Sequence, residues 1–304
     1  MVTFSGLART VAVAKNPVTA IISRATKKRA EITFKNGNKL RLTWRQFTFF
    51  RDHDEIMRRF KVENIDDTSF RIKRNDFELV GSPALCLVMS ELESGNYECD
   101  CRGKVVLDIG GFQGESAVFF SRMGANKVII YEPVAANQPF IKENARLNHV
   151  NVEIHEEGVG EKDGVVAVTY EENTDNNPFS IVGSSRFGII SRKGDHKLEV
   201  KVRNVVDVLD KSGADVAKFD CEGSEKYLIN VPTKTLRKIE YYIIEAHSPE
   251  IKKQLLKKFQ DSGFSLVKVN EISEEVSTVH FKRNEPVIII SDFAFNPLQV
   301  IHSR

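Results

Sequence analysis

A glycine-containing segment after an apolar run carries the clearest chemical signal in the sequence. Asp108 closes the run, and Gly110, Gly111 and Gly114 follow before a predicted helix. Glycines let a ligand approach the backbone closely, and a helix start offers free N–H groups. A dinucleotide-binding turn would need glycines at positions 108, 110 and 113, but the chain has Asp108 and Gln113 there. The acid disfavours a pyrophosphate and favours a ligand with a cationic group.

The next two apolar runs end in residues that suit a nucleoside. Glu132 and Pro133 follow the run 127–131, and a carboxylate at a strand tip can accept hydrogen bonds from the hydroxyls of a ribose. Glu132 alone would be a surface acid, but together with the turn after Asp108 it favours ribose binding. Glu157 and Gly158 follow the third strand, where a small residue and a backbone N–H would suit an adenine edge.

Acidic residues and a histidine lie at the ends of two further predicted strands. Asp220, Glu222 and Glu225 follow the fourth predicted strand, and three acids this close are costly without a cation or a shared proton. A helix N-terminus favours acids, which explains Glu225 well and Asp220 poorly. His247, at the end of the fifth strand, titrates near neutral pH and is a candidate general base. A structural role for this histidine is the alternative.

The elements that carry these residues alternate between short apolar strands and amphipathic helices. Strands are predicted at 104–108, 127–132, 152–155, 216–220, 241–245, 264–269, 278–282 and 287–290, and helices at 115–123, 135–148, 224–228 and 249–262. Continuous apolar strands indicate a parallel sheet with helices on both faces. No helix separates the last two strands, which predicts an antiparallel edge.

The first 95 residues have a mixed pattern, so we predict an accessory α+β region at 1–95 and the main domain at 96–304. Two hairpins are predicted, at 30–43 and 69–80, and helices at 44–60 and from Pro83 to Leu92. The polar stretch 171–198 is predicted to be a long loop or lid. Specificity is expected to reside in that stretch and in the N-terminal region.

Composition and charge bound the class of protein. The 304 residues are 41% hydrophobic and 28% charged, which is typical of a globular chain with a sizeable core. No apolar run has the length of a membrane helix, and we expect a cytoplasmic protein without a membrane partner. Residues 1–75 are strongly basic although the whole chain is +2. This asymmetry indicates either a polyanion-binding surface or, as we favour, a solvated face or one docked on the acidic remainder.

In order and spacing, these motifs resemble the FkbM-like family of S-adenosylmethionine-dependent methyltransferases over about residues 95–270. The matching segments are LDIGGFQGE, YEP, KENARLN, EEGVGEKDG, KFDCEGSE and IIEAH. The most specific element is K-x-D-x-E-G-x-E, and the D-x-G-x-x-x-G spacing from Asp108 is that of S-adenosylmethionine methyltransferases. One departure is Gly111-Phe112, where members often have Ala-Asn.

The resemblance implies a Rossmann-like class I methyltransferase fold, a mostly parallel seven-stranded sheet with an antiparallel last strand. It also implies O-methylation of a hydroxyl on a sugar, polyketide or related metabolite, with S-adenosyl-L-methionine as cofactor and a small-molecule or glycan acceptor. An RNA methyltransferase that uses the basic N-terminal region is one alternative, although no Asn-Pro-Pro-aromatic motif follows the fourth strand. A non-catalytic nucleotide-binding protein of the same fold is the other.

Roles for individual residues follow as hypotheses. The predicted cofactor-binding residues are Asp108, Gly110, Gly111, Gly114, Glu132, Pro133, Glu157, Gly158 and Asp220. His247 is the first candidate base, with Glu222 second, and Asp220 orients the acceptor or binds the cofactor's amino group. Glu245 would orient the histidine. We favour a site without a metal; the alternative is a divalent ion held by Asp220, Glu222 and Glu245.

Overall fold

The computed structural model of the chain describes residues 4–75, 77–170 and 196–285. The helices are α1 (Phe4–Val13), α2 (Pro17–Thr26), α3 (Trp44–Asp52), α4 (Asp54–Arg59), α5 (Leu85–Glu93), α6 (Glu115–Arg122), α7 (Gln138–Leu147), α8 (Val205–Ser212), α9 (Thr233–Leu236) and α10 (Pro249–Asp261), with 3-10 turns at Ala135–Asn137 and Ser224–Asn230. The first strands are β1 (Ala30–Thr33), β2 (Lys39–Leu42), β3 (Lys61–Asn64), β4 (Phe70–Arg74) and β5 (Phe77–Gly81). The others are β6 (Val105–Ile109), β7 (Lys127–Tyr131), β8 (Val152–His155), β9 (Gly158–Gly160), β10 (Gly164–Tyr170), β11 (His196–Asn204), β12 (Val216–Phe219), β13 (Tyr241–Ala246), β14 (Phe264–Glu271) and β15 (Ser277–Arg283).

Seven strands form the central sheet, in the order β14-β15-β13-β12-β6-β7-β8. Strands β6, β7, β8, β12 and β13 pair in parallel, and β15 is antiparallel to both of its neighbours. The predicted mostly parallel sheet with an antiparallel last strand is therefore confirmed. β15 inserts between β13 and β14, so the antiparallel pair β14–β15 closes this end of the sheet with β14 at the edge.

Both faces of this sheet are buried, which explains the unbroken apolar runs. Alternate side chains enter opposite cores: Val106 belongs to one hydrophobic cluster, whereas Leu107 and Ile109 belong to the other. The strand order reverses between β6 and β12, since β6 continues to β7 on one side and meets β12 on the other. In open α/β sheets, ligands bind outside the carboxyl ends of the strands at such a reversal.

The N-terminal region packs against helices α6 and α7, which cover one face of the sheet. Phe47 and Phe70 of this region lie in the same hydrophobic cluster as Phe120 of α6. Asn144 of α7 bonds both backbone groups of Val80, donating to its carbonyl at 2.9 Å and accepting from its N–H at 2.7 Å. The region therefore supports the helices beside the glycine turn, and the division at 95/96 stays a prediction.

Several predicted elements differ from the observed ones. The predicted helix 44–60 is two helices, because His53 (φ −114°, ψ 42°) leaves the helical conformation and the acids Asp54 and Glu55 favour a new helix start. The predicted helix 224–228 is a 3-10 turn, and residues 196–198 belong to β11 rather than to a loop. The remainder of the predicted loop, 171–195, and the predicted strand 287–290 lie outside the described residues. Both predicted hairpins are confirmed, and Gly37 (φ +101°) occupies the first turn.

Many basic residues of the N-terminal region pair with acids of that region. Arg59 and Arg74 both contact Glu93, while Arg71 and Lys73 contact Glu78. Both of these acids follow residue 75, and the choice between a solvated basic face and one docked on the acidic remainder stays a prediction. None of the described helices is long and apolar enough to span a membrane.

Candidate active site

The turn after β6 is a closed hydrogen-bonded structure. Gly110 has φ +82°, and a Cβ atom there would lie 1.8 Å from the carbonyl oxygen of Asp220. Glycine is thus required for the approach of two backbones rather than for a ligand. Each N–H from residue 110 to 114 already has an acceptor, on Tyr131, Glu132, Glu115 or Gly111. The N–H groups of the turn itself are therefore satisfied within the protein, and the expectation of free N–H groups at the helix start, from Glu115 onward, stays a prediction.

Asp108 lies beneath this turn and is completely buried. Its Oδ1 is 3.0 Å from Lys218 Nζ, and its Oδ2 accepts a 2.5 Å hydrogen bond from Ser116. Lys218, itself buried in β12, also donates to the Gly110 carbonyl at 2.7 Å and lies 3.7 Å from Asp220. Burial alone would lower the pKa of Lys218, but Asp108 and Asp220 outweigh it and raise that pKa. Asp108 is engaged by the protein rather than open to a ligand.

Glu132, after β7, holds the other side of the turn. Its carboxylate accepts from Phe112 N–H at 3.0 Å, Val134 N–H at 2.9 Å and the Asn137 amide at 3.2 Å. Burial raises the pKa of Glu132 to about 7, although these three hydrogen bonds oppose the increase. A carboxylate offers about four acceptor positions, so one remains on Oε2. That position suits one ribose hydroxyl, fewer than the two expected from the sequence.

The remaining predicted cofactor residues have simpler surroundings. Pro133 links Glu132 to Val134 and has no N–H of its own to satisfy. Glu157 accepts from Arg203 at 2.9 Å. Gly158 begins β9 and pairs with Val202 of β11 in a small separate sheet. The proposed role of Glu157 and Gly158 at an adenine edge stays a prediction.

Beyond the ends of β12 and β13, carboxyl groups surround His247. Its Nδ1 lies 3.2 Å from Glu225 Oε1, and the same oxygen accepts from its backbone N–H at 3.0 Å. Its Nε2 lies 3.8 Å from Asp220, 3.6 Å from Glu222 and 3.5 Å from Glu245. The structure thus brings together all three predicted catalytic residues. We call His247, Asp220, Glu222 and Glu245 the acid–histidine cluster.

The charges and the burial of this cluster shift the pKa values of its members. Burial would lower the pKa of His247, but Glu225, Asp220 and Glu222 raise it to about 10. Burial and the charge of Asp220 raise the pKa of Glu222 to about 8, against the opposing effect of His247. They likewise raise the pKa of Glu245 above its usual range. The histidine is therefore charged at neutral pH, and the pKa of Glu222 lies much closer to neutral pH than that of an ordinary glutamate.

Two residues of the site had no role assigned from the sequence. Tyr97, just before β6, places its hydroxyl 3.1 Å from Asp220 Oδ2 and 3.0 Å from Glu245 Oε2. Lys218 is the buried counterion of Asp108. A lysine within an otherwise apolar strand was a readable signal for Lys218, whereas nothing in the local sequence marks Tyr97.

A metal could be held by a different set of residues from the predicted one. Asp220, Glu245 and His247 each offer a ligand atom within 4.8 Å of the others. Glu222, which the sequence placed in the alternative metal site, is not in this set. Its Oε2 is buried without a hydrogen-bond partner.

Comparisons with known proteins identify the family of the chain. A family model described as the methyltransferase FkbM domain matches residues 108–272, more than half of the chain. Among solved structures, the chain is similar to TYW2 of M. jannaschii in complex with AdoMet (12% identity, TM-score 0.41, 73% of this chain and 89% of that one). It is also similar to a ribosomal protein L11 methylase of Lactobacillus delbrueckii (12%, 0.37, 66% and 79%). The comparison with curated proteins found no match.

The sheet order and the family match define a class I, S-adenosylmethionine-dependent methyltransferase. The chain belongs to the FkbM methyltransferase family, as its motifs predicted. The family implies S-adenosylmethionine as the cofactor. Glu132 keeps one free acceptor position and the carboxylate of Asp220 is partly exposed, and the binding of the cofactor by these residues stays a prediction.

Proposed function

We propose that this methyltransferase O-methylates a hydroxyl group of a sugar, polyketide or related metabolite. The observation that carries the proposal is the acid–histidine cluster beside the turn after β6. An alcohol is a weak nucleophile unless a base takes its proton as the new bond forms. A base is most effective when its pKa is near the working pH. The raised pKa of Glu222 meets that condition.

The cofactor would be held by the two sides of the β6 turn. Glu132 accepts a ribose hydroxyl, with Pro133 shaping the strand end, and Glu157 and Gly158 face the adenine. Asp220 faces the cationic end of the cofactor. Asp108 acts through Lys218, which fixes Gly110, and Gly111 and Gly114 allow the close packing of the turn.

We assign the proton-accepting role to Glu222 and a positioning role to His247. Bound S-adenosylmethionine supplies an electrophilic methyl group. The acceptor hydroxyl gives its proton to the ionised form of Glu222, whose Oε2 is buried and has no hydrogen-bond partner. His247, held by Glu225, keeps Glu222, Asp220 and Glu245 close together. This differs from the first expectation, in which His247 is the base, because a histidine with a pKa near 10 is already protonated.

The test is transfer of a labelled methyl group. The purified protein is incubated with methyl-labelled S-adenosylmethionine and separate pools of small metabolites, glycans and RNA. We expect label in an alkali-stable ether of the metabolite or glycan pool. Label in RNA alone would replace the proposed acceptor, and binding of the cofactor without label in any pool would favour a non-catalytic protein.

A further inference from the structure

The two N-terminal helices carry large apolar side chains on their exposed sides. In α2, Val18 and Ile22 lie one turn apart and are 66% and 54% exposed. In α1, Leu7 and Val11 lie one turn apart and are 41% and 50% exposed. Residues four apart share one side of a helix, so each helix presents an apolar stripe to solvent. We call these four residues together the N-terminal apolar face.

The inward side of α2 is small and polar, the reverse of an ordinary surface helix. A helix that only covers a core buries its large apolar residues and exposes its polar ones. The buried residues of α2 are Ala20 and Ser23, and the Ser23 hydroxyl donates to the Lys28 carbonyl at 2.7 Å. α1 keeps part of the ordinary pattern, since its Val13 is buried. Packing within the protein therefore does not explain the apolar outward side of α2.

Positive charge accompanies this face. Residues 1–30 contain six Lys or Arg and no Asp or Glu. Lys15 lies between α1 and α2, and Lys27 and Lys28 follow the end of α2. All three lysines are exposed, and among the described residues no acid lies within ion-pair distance of them. The face thus combines apolar stripes with positive charge that the protein does not neutralise.

This combination suits the surface of an anionic lipid bilayer. Single-stranded nucleic acids are bound by aromatic stacking as well as by positive charge, and α2 contains no aromatic residue. A bilayer offers phosphate groups to the lysines and acyl chains to the aliphatic side chains. The ten residues of α2 extend about 15 Å, half of a hydrocarbon core of about 30 Å. A helix of this length can lie in the plane of the interface but cannot span the bilayer.

We propose that the N-terminal apolar face is a docking surface for anionic lipid bilayers. Val18 and Ile22 enter the boundary between the headgroups and the acyl chains. Lys15, Lys27 and Lys28 contact the lipid phosphates. This is one form of the polyanion-binding surface that the basic N-terminal region indicates, and it differs from the expectation of a chain without a membrane partner. It does not rest on the proposed function.

Co-sedimentation of the full chain with lipid vesicles tests the proposal. One set of vesicles is phosphatidylcholine alone, and the other contains in addition about 30 mol% phosphatidylserine. We expect binding to the anionic vesicles to be at least about tenfold tighter and to weaken as salt is added. Equal binding to both sets, or binding to neither, would overturn the proposal. Complete competition by soluble glycerophosphoserine would also overturn it, because that compound offers a phosphate without a bilayer.

A double variant tests the apolar part of the face. Val18→Ser with Ile22→Ser should weaken binding to the anionic vesicles about tenfold to a hundredfold, because two aliphatic side chains no longer leave water. Leu266→Ser with Val267→Ser is the matched control on β14, where the side chains are 49% and 53% exposed, and should bind like the wild type. Thermal unfolding checks that both variants are folded. Equal binding by the two variants would refute the role of the face.

A second double variant tests the charge. Lys27→Gln with Lys28→Gln should weaken binding to the anionic vesicles by about tenfold and reduce its dependence on salt. The apolar stripes are unchanged in this variant, so its remaining binding to phosphatidylcholine vesicles should equal that of the wild type. Unchanged affinity for the anionic vesicles would contradict the assigned contacts to lipid phosphates.

Other occupants of the face give different results. If light scattering shows a dimer that Val18→Ser with Ile22→Ser dissociates, the face is an interface between two copies and the proposal is overturned. Tighter binding to an RNA oligonucleotide than to the anionic vesicles, weakened by the same variant, would replace the bilayer by RNA. Methyl transfer is assayed separately without vesicles, so failure of vesicle binding leaves the proposed function standing, and failure of methyl transfer leaves the docking surface standing.

Discussion

The turn after β6 and the acid–histidine cluster lie at the same edge of one sheet, yet they differ in how far their polar groups are satisfied. In the turn, each backbone N–H has an acceptor and Glu132 accepts three hydrogen bonds. In the cluster, Glu222 Oε2 is buried without a hydrogen-bond partner, and the carboxyl groups of Asp220, Glu222 and Glu245 all approach the same nitrogen, Nε2 of His247. The polar groups of the turn are thus satisfied within the protein, whereas those of the cluster are only partly satisfied.

This difference suggests different roles for the two regions, cofactor binding for the turn and proton transfer for the cluster. A rigid turn can bind a cofactor with little reorganisation, which lowers the entropy lost on binding. A cluster with raised pKa values is costly to fold, and such groups are concentrated where protons are transferred. We therefore expect substitutions in the cluster to change turnover and substitutions around the turn to change stability or cofactor affinity.

The largest effect is expected from Glu222→Gln. Loss of the proton acceptor should reduce kcat by about a hundredfold to ten-thousandfold, the usual contribution of a general base. The affinity for S-adenosylmethionine, measured by calorimetry, should stay within about twofold. His247→Ala should reduce turnover less than Glu222→Gln does. A greater loss in the histidine variant would return the role of base to His247.

On the other side of the comparison, Lys218→Met should destabilise the fold. Removing the lysine leaves Asp108 buried and unpaired, which costs about 3–5 kcal/mol in the free energy of unfolding. Urea denaturation at neutral pH measures the loss. Lys211→Met, which breaks an exposed pair with Asp207, is the control and should leave the free energy of unfolding almost unchanged. Similar losses in the two variants would contradict the role of Lys218.

The sequence predicted the turn better than the cluster, for a physical reason. A buried parallel strand must be apolar along its whole length, so β6, β7, β12 and β13 are visible as runs, and the residues after them meet at one edge. Distances between side chains depend on packing from elsewhere in the chain. Tyr97 enters the cluster from a segment outside the sheet, and no local pattern marks it.

Two other differences have readable causes. Strand β11 shows alternation, with Leu198, Val200 and Val202 separated by polar residues, and this signal for a half-buried strand was missed. The protonation of His247 could not be predicted from its type alone. Its pKa depends on Glu225 and Glu222, whose distances to the ring only the fold determines.

A smaller effect, on binding alone, is expected from Glu132→Ala. The variant loses an acceptor for a ribose hydroxyl and leaves the N–H groups of Phe112 and Val134 without a partner. We expect the affinity for S-adenosylmethionine to fall about tenfold to a hundredfold, as calorimetry would measure. Glu143→Ala, on the exposed surface of α7, should leave it unchanged. Unchanged affinity in Glu132→Ala would remove the ribose assignment.

The smallest effect is expected from chelation, which tests whether protons or a metal balance the cluster. Asp220, Glu245 and His247 could bind a divalent ion, but in the described structure Tyr97 already bridges the two carboxyls and His247 contacts both. If the site works without a metal, as we favour, methyl transfer with EDTA present should equal that without it. Loss of turnover in EDTA and its return with magnesium would show that a metal is required, and would make this cluster a Lewis-acid site instead of a base.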